Sequence, residues 1–200
     1  MTTPQDLLIV VLDTAAHRTV TPGDLSVGLA GAELIDLLKA PTIWLDDGRI
    51  VPGHLPGPAA PLLTQAAASF VMEEPYESVS DWLWRRGDRL TTTYMTALEA
   101  QGVLVRKKGR LLRDGQRVLT DSPARVRAST RWSQAEPLLR TLAVSLGISG
   151  ERTKESSFIT DYAVQTVLAA VCTALEELQA ERQRRIIEQG AFDSLWPALE

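Results

Sequence analysis

Cysteine is nearly absent from this 200-residue chain: Cys172 is the only one. That excludes a disulfide within the chain and a thiolate metal cluster, and it fits a reducing compartment. Cys172 lies beside an apolar helical stripe and reads as a buried structural thiol. Histidine is scarce too. His17 and His54 fall in turn and loop segments, with no carboxylate or nucleophile at useful spacing. HExxH, GxSxG, GxGxxG and the phosphate-binding GK[ST] loop are all missing, so no catalytic function and no cofactor is implied. Charge is missing from residues 50–72, a stretch long enough to cross a bilayer. Pro52, Pro56, Pro58 and Pro61 break its first half, which excludes a lipid-embedded helix. The opening MTTPQDLLIVVLD lacks the basic segment of a signal peptide.

Positive charge is in the minority, with 21 Lys and Arg against 25 Asp and Glu and a net charge of -4. That argues against a protein that coats nucleic acid. The charges are nonetheless segregated. From Arg85 to Arg131 there are 12 basic and 4 acidic residues, or +8, which leaves -12 for the remainder. Such asymmetry implies either a partner for the basic segment or a solvated basic face answered by acidic neighbours. A hydrophobic content of 44% suits one compact domain, over residues 1–200, with a full core.

Periodicity and punctuation predict a mostly α-helical fold with two small hairpins. Thr3-Pro4 opens a first helix, with Thr3 as its cap. Pro22-Gly23-Asp24 opens a second, through GLAGAELIDLL to Pro41. TIWLDDGRIV is a hairpin about Asp47-Gly48. A helix through LLTQAAASFVM precedes SVSDWLWRRG, capped by Ser78 or Ser80, and then RLTTTYMTALEAQG, which ends at Gly102. Trp82 and Trp84, two apart, point in different directions, so that either one enters the core and the other nears the surface, where it would suit a membrane interface, or both serve the core. After Pro123 a helical stretch is interrupted by Pro137. A long helix from Ile159 follows, then a short C-terminal one that packs Phe192 and Leu195 on the body.

The run LEAQGVLVRKKGRLL, residues 98–112, reads as a helix end feeding a second hairpin. Arg106, Lys107, Lys108 and Arg110 crowd its tip, Gly109 makes the turn and Leu111 is an apolar neighbour. Three partners fit. A winged helix would grip DNA phosphate with the tip and present Thr91, Thr92, Thr96, Glu99 and Gln101 to the groove. That face is poor in base-reading Arg and Asn, which disfavours nucleic acid. An anionic membrane would attract the same cations at about 1 kcal/mol each, so a second anchoring signal is needed. A protein partner or a second copy of the chain is the third.

DLLIVVLD, GLAGAELIDLL, ESVSDWLWRRG and ALEAQGVL with its charged hairpin, in this order, resemble the Golgi phosphoprotein 3 family, in a divergent, bacterial-type member. The likeness covers about Gln5 to Leu119. It implies a mostly α-helical domain with a projecting basic hairpin. It also implies a non-enzymatic, cytoplasmic protein, peripheral on the cytoplasmic membrane face. Eukaryotic members bind phosphatidylinositol 4-phosphate and act as adaptors for client proteins, and the family hairpin serves membrane association and oligomerisation. The implied partners are therefore an anionic phospholipid (a phosphoinositide in particular), a homo-oligomer and a client protein. The family's headgroup positions, aligned without gaps, hold Thr21, Ala30, Asp88 and Thr91. A small shift brings Arg86 and Arg89 to the last pair, and Arg18 lies near the first. Arg86, Arg89 and Arg18 are thus the implied headgroup residues. The implied hairpin runs from Val103 to about Leu112.

Overall fold

The computed structural model describes residues 2–14, 20–53, 60–107, 116–148 and 159–195. His17, Arg18, His54, Lys108, Gly109, Arg110 and Leu111 lie outside them. The architecture is mostly helical with two small antiparallel hairpins.

Helix α2 (Pro22–Lys39) runs through the middle of the core, because its sequence has no wholly polar face. Leu25, Val27, Leu29, Leu34, Ile35 and Leu37 are buried in several directions, with Gly28, Ala30, Gly31 and Ala32 between them. Thr21 caps the helix, its Oγ1 accepting from the Asp24 N–H at 3.2 Å, and Pro22 supplies a first-turn residue that needs no donor. The small residues let other elements come close. A Cβ on Gly31 would overlap Val171 of α8 (Tyr162–Leu195). Helix α1 (Thr3–Thr14) is tied to α2 at its start, where the Thr3 N–H and hydroxyl donate to the Asp36 carboxylate at 2.7 and 2.6 Å. Thr3 is therefore not the cap. It is already helical, and the Thr2 carbonyl accepts the first helical bond, from Asp6.

Strands β1 (Ile43–Asp46) and β2 (Arg49–Pro52) pair with Asp46 opposite Arg49. That leaves Asp47 and Gly48, both at positive φ, as the two-residue turn expected of Asp-Gly. Helix α3 (Pro61–Ala67) is shorter than its apolar run. Helices α4 (Val79–Gly87) and α5 (Leu90–Ala100) follow, and Gly102, at φ 69°, closes α5. Strand β3 (Leu104–Lys107) then pairs with β4 (Gln116–Leu119). The return strand is thus Gln116–Leu119, not a run ending near Leu112. Its register sets Leu119 opposite the buried Leu104. Pro137 does not interrupt one helix but begins a second, so that α6 (Pro123–Ser133) and α7 (Pro137–Ser145) are distinct. Helix α8 passes through Gly190 to Leu195 without a break, which replaces the separate C-terminal helix. Cys172 on α8 is exposed, not buried, its Sγ 3.5 Å from the Ser145 hydroxyl.

Candidate functional site

Helix α4 begins at Ser78, whose Oγ accepts from the Asp81 N–H at 3.0 Å. Its inner face carries Trp82 and Leu83, fully buried, while Trp84 on the outer face is 39% exposed. The helix ends at Gly87. Asp88 is extended (φ -58°, ψ 115°) and Arg89 left-handed (φ 56°), and this reversal starts α5. A left-handed arginine costs roughly 1 kcal/mol and is uncommon.

The reversal separates the two arginines of the expected pair. Arg86 points inward and makes a two-pronged salt bridge with Glu33 of α2, Nε to Oε2 at 2.8 Å and Nη2 to Oε1 at 3.0 Å. The Tyr94 hydroxyl of α5 donates to the same carboxylate at 2.9 Å, and Arg86 Nη2 also reaches the Leu62 carbonyl at 3.3 Å. The Glu33 side chain is wholly buried and that of Arg86 is 12% exposed. Burial raises the Glu33 carboxyl above its ordinary value, against the pull of Arg86 and Tyr94. Burial and the Glu33 charge likewise push the Tyr94 hydroxyl up. Arg86 thus fastens α4 to α2 and α5.

Arg89 is exposed and lines a cavity of about 390 Å³ where the first turns of α2 and α5 meet α4 and α8. Pro22 and Gly23 form one side, Gly87, Asp88 and Thr92 another, and Trp84 and Leu178 an apolar wall. Among the described residues the Arg89 guanidinium has no acidic partner. The cavity floor is a hydroxyl network. The Thr91 N–H donates to Ser26 Oγ at 3.0 Å, the two hydroxyls lie 2.9 Å apart, and Thr91 Oγ1 donates to the Pro22 carbonyl at 2.9 Å. Thr91 is therefore buried, which removes it from a groove-reading face. Of the positions the family resemblance assigns, Asp88 and Thr91 line the cavity. Thr21 does not line it but caps α2, its Oγ1 also accepting from Arg182 at 3.3 Å, and Ala30 is buried in the core.

The basic segment is less free than its count implies. Arg106 pairs across the hairpin with Arg117, and both guanidinium groups reach Glu99 Oε1, at 3.3 and 2.7 Å. Arg117 and then Arg106 hold the Glu99 carboxyl below its ordinary value. On α6, Arg125 meets Asp13 at 2.8 Å, and Arg131 meets Asp6 at 2.6 Å and Glu136 at 3.1 Å. Lys107 is placed as the last residue of β3, while Lys108, Arg110, Leu111 and Arg18 lie outside the described residues. The structure thus brings Arg89 to a cavity and keeps Arg86 away from it. Sequence reasoning missed Glu33 and Tyr94, although a carboxylate set between Ala32 and Leu34 in a largely apolar helix is a signal for a buried cation.

Among the described residues no group of His, Cys, Asp and Glu is placed to hold a metal ion, and no helix is long and apolar enough to cross a membrane. The model of the family described as Golgi phosphoprotein 3 (GPP34) matches residues 4–193. No curated protein matches the chain.

Proposed function

The chain belongs to the Golgi phosphoprotein 3 family, and from that premise we propose that it docks peripherally on a phospholipid surface, Arg89 meeting a headgroup phosphate. Membership gives the coarser half, a non-enzymatic protein of the lipid-associated adaptor type. One observation supports the finer half. A cation with no acidic partner among the described residues lines a cavity at the start of two helices. Helix starts carry partial positive charge, so α2 and α5 reinforce Arg89 toward an anion, even though Pro22 has no N–H and those of Asp24 and Thr91 are already bonded.

A hydrogen bond between charged groups contributes about 1.5–3 kcal/mol, too little alone for stable docking. The hairpin cations supply the second signal at about 1 kcal/mol each near an anionic leaflet. Lys107, Lys108 and Arg110 carry most of it, since Arg106 shares Glu99 with Arg117. Arg86 serves the fold, and Arg18 remains a third candidate for the phosphate. The headgroup and the hairpin cations then face the cytoplasmic leaflet.

Flotation with phosphatidylcholine, phosphatidylglycerol and phosphatidylinositol 4-phosphate vesicles tests this reading. Wild type is expected to float on a charged bilayer, and the variant lacking Arg106, Lys107, Lys108 and Arg110 to float less. Arg89→Gln is expected to weaken flotation on each headgroup the cavity accepts. Flotation of neither protein overturns the reading. The hairpin then serves a second copy of the chain or a client protein, which a mass that rises with concentration, or stays constant, separates.

A further inference from the structure

We propose that the headgroup this cavity takes is zwitterionic, a phosphate ester carrying an ammonium group of the phosphoethanolamine or phosphocholine class. This rests on the phospholipid reading above and names the chemistry of its ligand.

The cavity presents one charge of each sign. Asp88 and Arg89 are consecutive, both exposed, and both line it. Neither side chain has an ion-pair partner among the described residues. The nearby acids differ. Asp24 is held by Arg182 at 2.7 Å, Glu33 by Arg86 at 2.8 Å, and Glu181 by Arg185 at 2.8 Å. The unpaired cation and anion are thus adjacent at one mouth, in a reversal that sets Asp88 extended and Arg89 left-handed.

A headgroup bearing several negative charges would bring them against Asp88 while it reaches Arg89, and like charges set together cost several kcal/mol. A zwitterion satisfies both. Its phosphate meets Arg89 and the helix starts, and its ammonium meets Asp88. The exposed Trp84 indole on the apolar wall suits the ammonium substituents, because a cation over an indole face is attracted by the ring's negative face. Beyond Trp84 and Leu178 a second cavity of about 400 Å³ carries Glu177, Glu181 and Arg184, and Glu181 is already answered by Arg184 and Arg185. The first cavity's volume, about 390 Å³, lies within the roughly 300–1,000 Å³ that small-ligand pockets occupy.

Calorimetric titration with phosphocholine, phosphoethanolamine, glycerol 3-phosphate and inositol phosphate, for wild type, Asp88→Asn and Arg89→Gln, tests it. Both changed residues are exposed and unpaired, so both variants fold. Wild type is expected to bind the ammonium esters about tenfold more tightly than the other two, a difference of about 1.4 kcal/mol. Asp88→Asn is expected to lose that preference by gaining affinity for glycerol 3-phosphate, and Arg89→Gln to bind every phosphate ester about tenfold more weakly. If wild type binds inositol phosphate or glycerol 3-phosphate as tightly, through Arg89, the proposal falls and the phospholipid reading stands. If wild type binds none of the four and floats on no vesicle, both fall. Flotation on phosphatidylethanolamine or phosphatidylcholine lost in Asp88→Asn identifies a bilayer source. Titration without flotation assigns the site to a free phosphate ester and overturns the lipid.

Discussion

Arg86 and Arg89 are three residues apart, carry the same charge and flank the same helix end, yet their surroundings are opposite. Arg86 is pressed against Glu33 and Tyr94 in the core. Arg89 lies past a left-handed reversal and lines an open cavity with its charge unanswered. Three residues apart would place both on one helix face if the helix continued. It stops at Gly87. What separates a buried, paired arginine from an exposed, unpaired one is therefore a carboxylate 53 positions away in the chain and two backbone angles at the helix end.

The comparison breaks most violently from the buried side. Glu33→Ala leaves the Arg86 cation without its partner and is expected to cost about 3–5 kcal/mol in urea unfolding. Tyr94→Phe removes one donor to the buried carboxylate and is expected to cost about 1.5–3 kcal/mol by the same measurement. pH sharpens the same region. Because burial raises the Glu33 carboxyl above its ordinary value, the fold keeps a proton there in a window where the unfolded chain has lost it. Wild type then loses stability from this group as pH rises through that window, whereas Glu33→Gln has no proton to lose. The stability gap between them is expected to narrow in urea midpoints taken between about pH 4 and 7. A gap that widens would contradict the direction. On the exposed side, Arg89→Gln is expected to leave unfolding within about 0.5 kcal/mol of wild type and to lower phosphate-ester affinity about tenfold. Smaller is Lys107→Ala, expected to weaken flotation on anionic vesicles by about 1 kcal/mol. Arg106→Ala should weaken it less, because Glu99 already answers that charge.

Local chemistry explains what the sequence made legible. Pro22 and Pro41 mark the limits of α2, Asp47-Gly48 needs two positive φ angles, and Gly102 closes α5, all within a few residues of the effect. The family resemblance likewise picked out residues that share one corner of the fold, since Asp88, Arg89 and Thr91 line one cavity. What stayed hidden depends on pairs distant in sequence. The +8 segment looked like one basic patch, but α6 sets Arg125 and Arg131 against Asp13 and Asp6 of α1. The Leu111-Leu112 run looked like a return strand, yet Leu104 and Leu119 set the register. The stretch with Phe192 and Leu195 looked like a separate short helix, yet the single Gly190 before it costs only about 1 kcal/mol in a helix interior, and α8 carries on to Leu195.

The central claim is that Arg89 meets phosphate and Arg86 does not. Flotation of Arg89→Gln beside wild type, with a thermal unfolding curve for each, tests it most directly. The account predicts an unchanged unfolding midpoint and reduced flotation. Flotation equal to wild type, on vesicles that wild type binds, would contradict it.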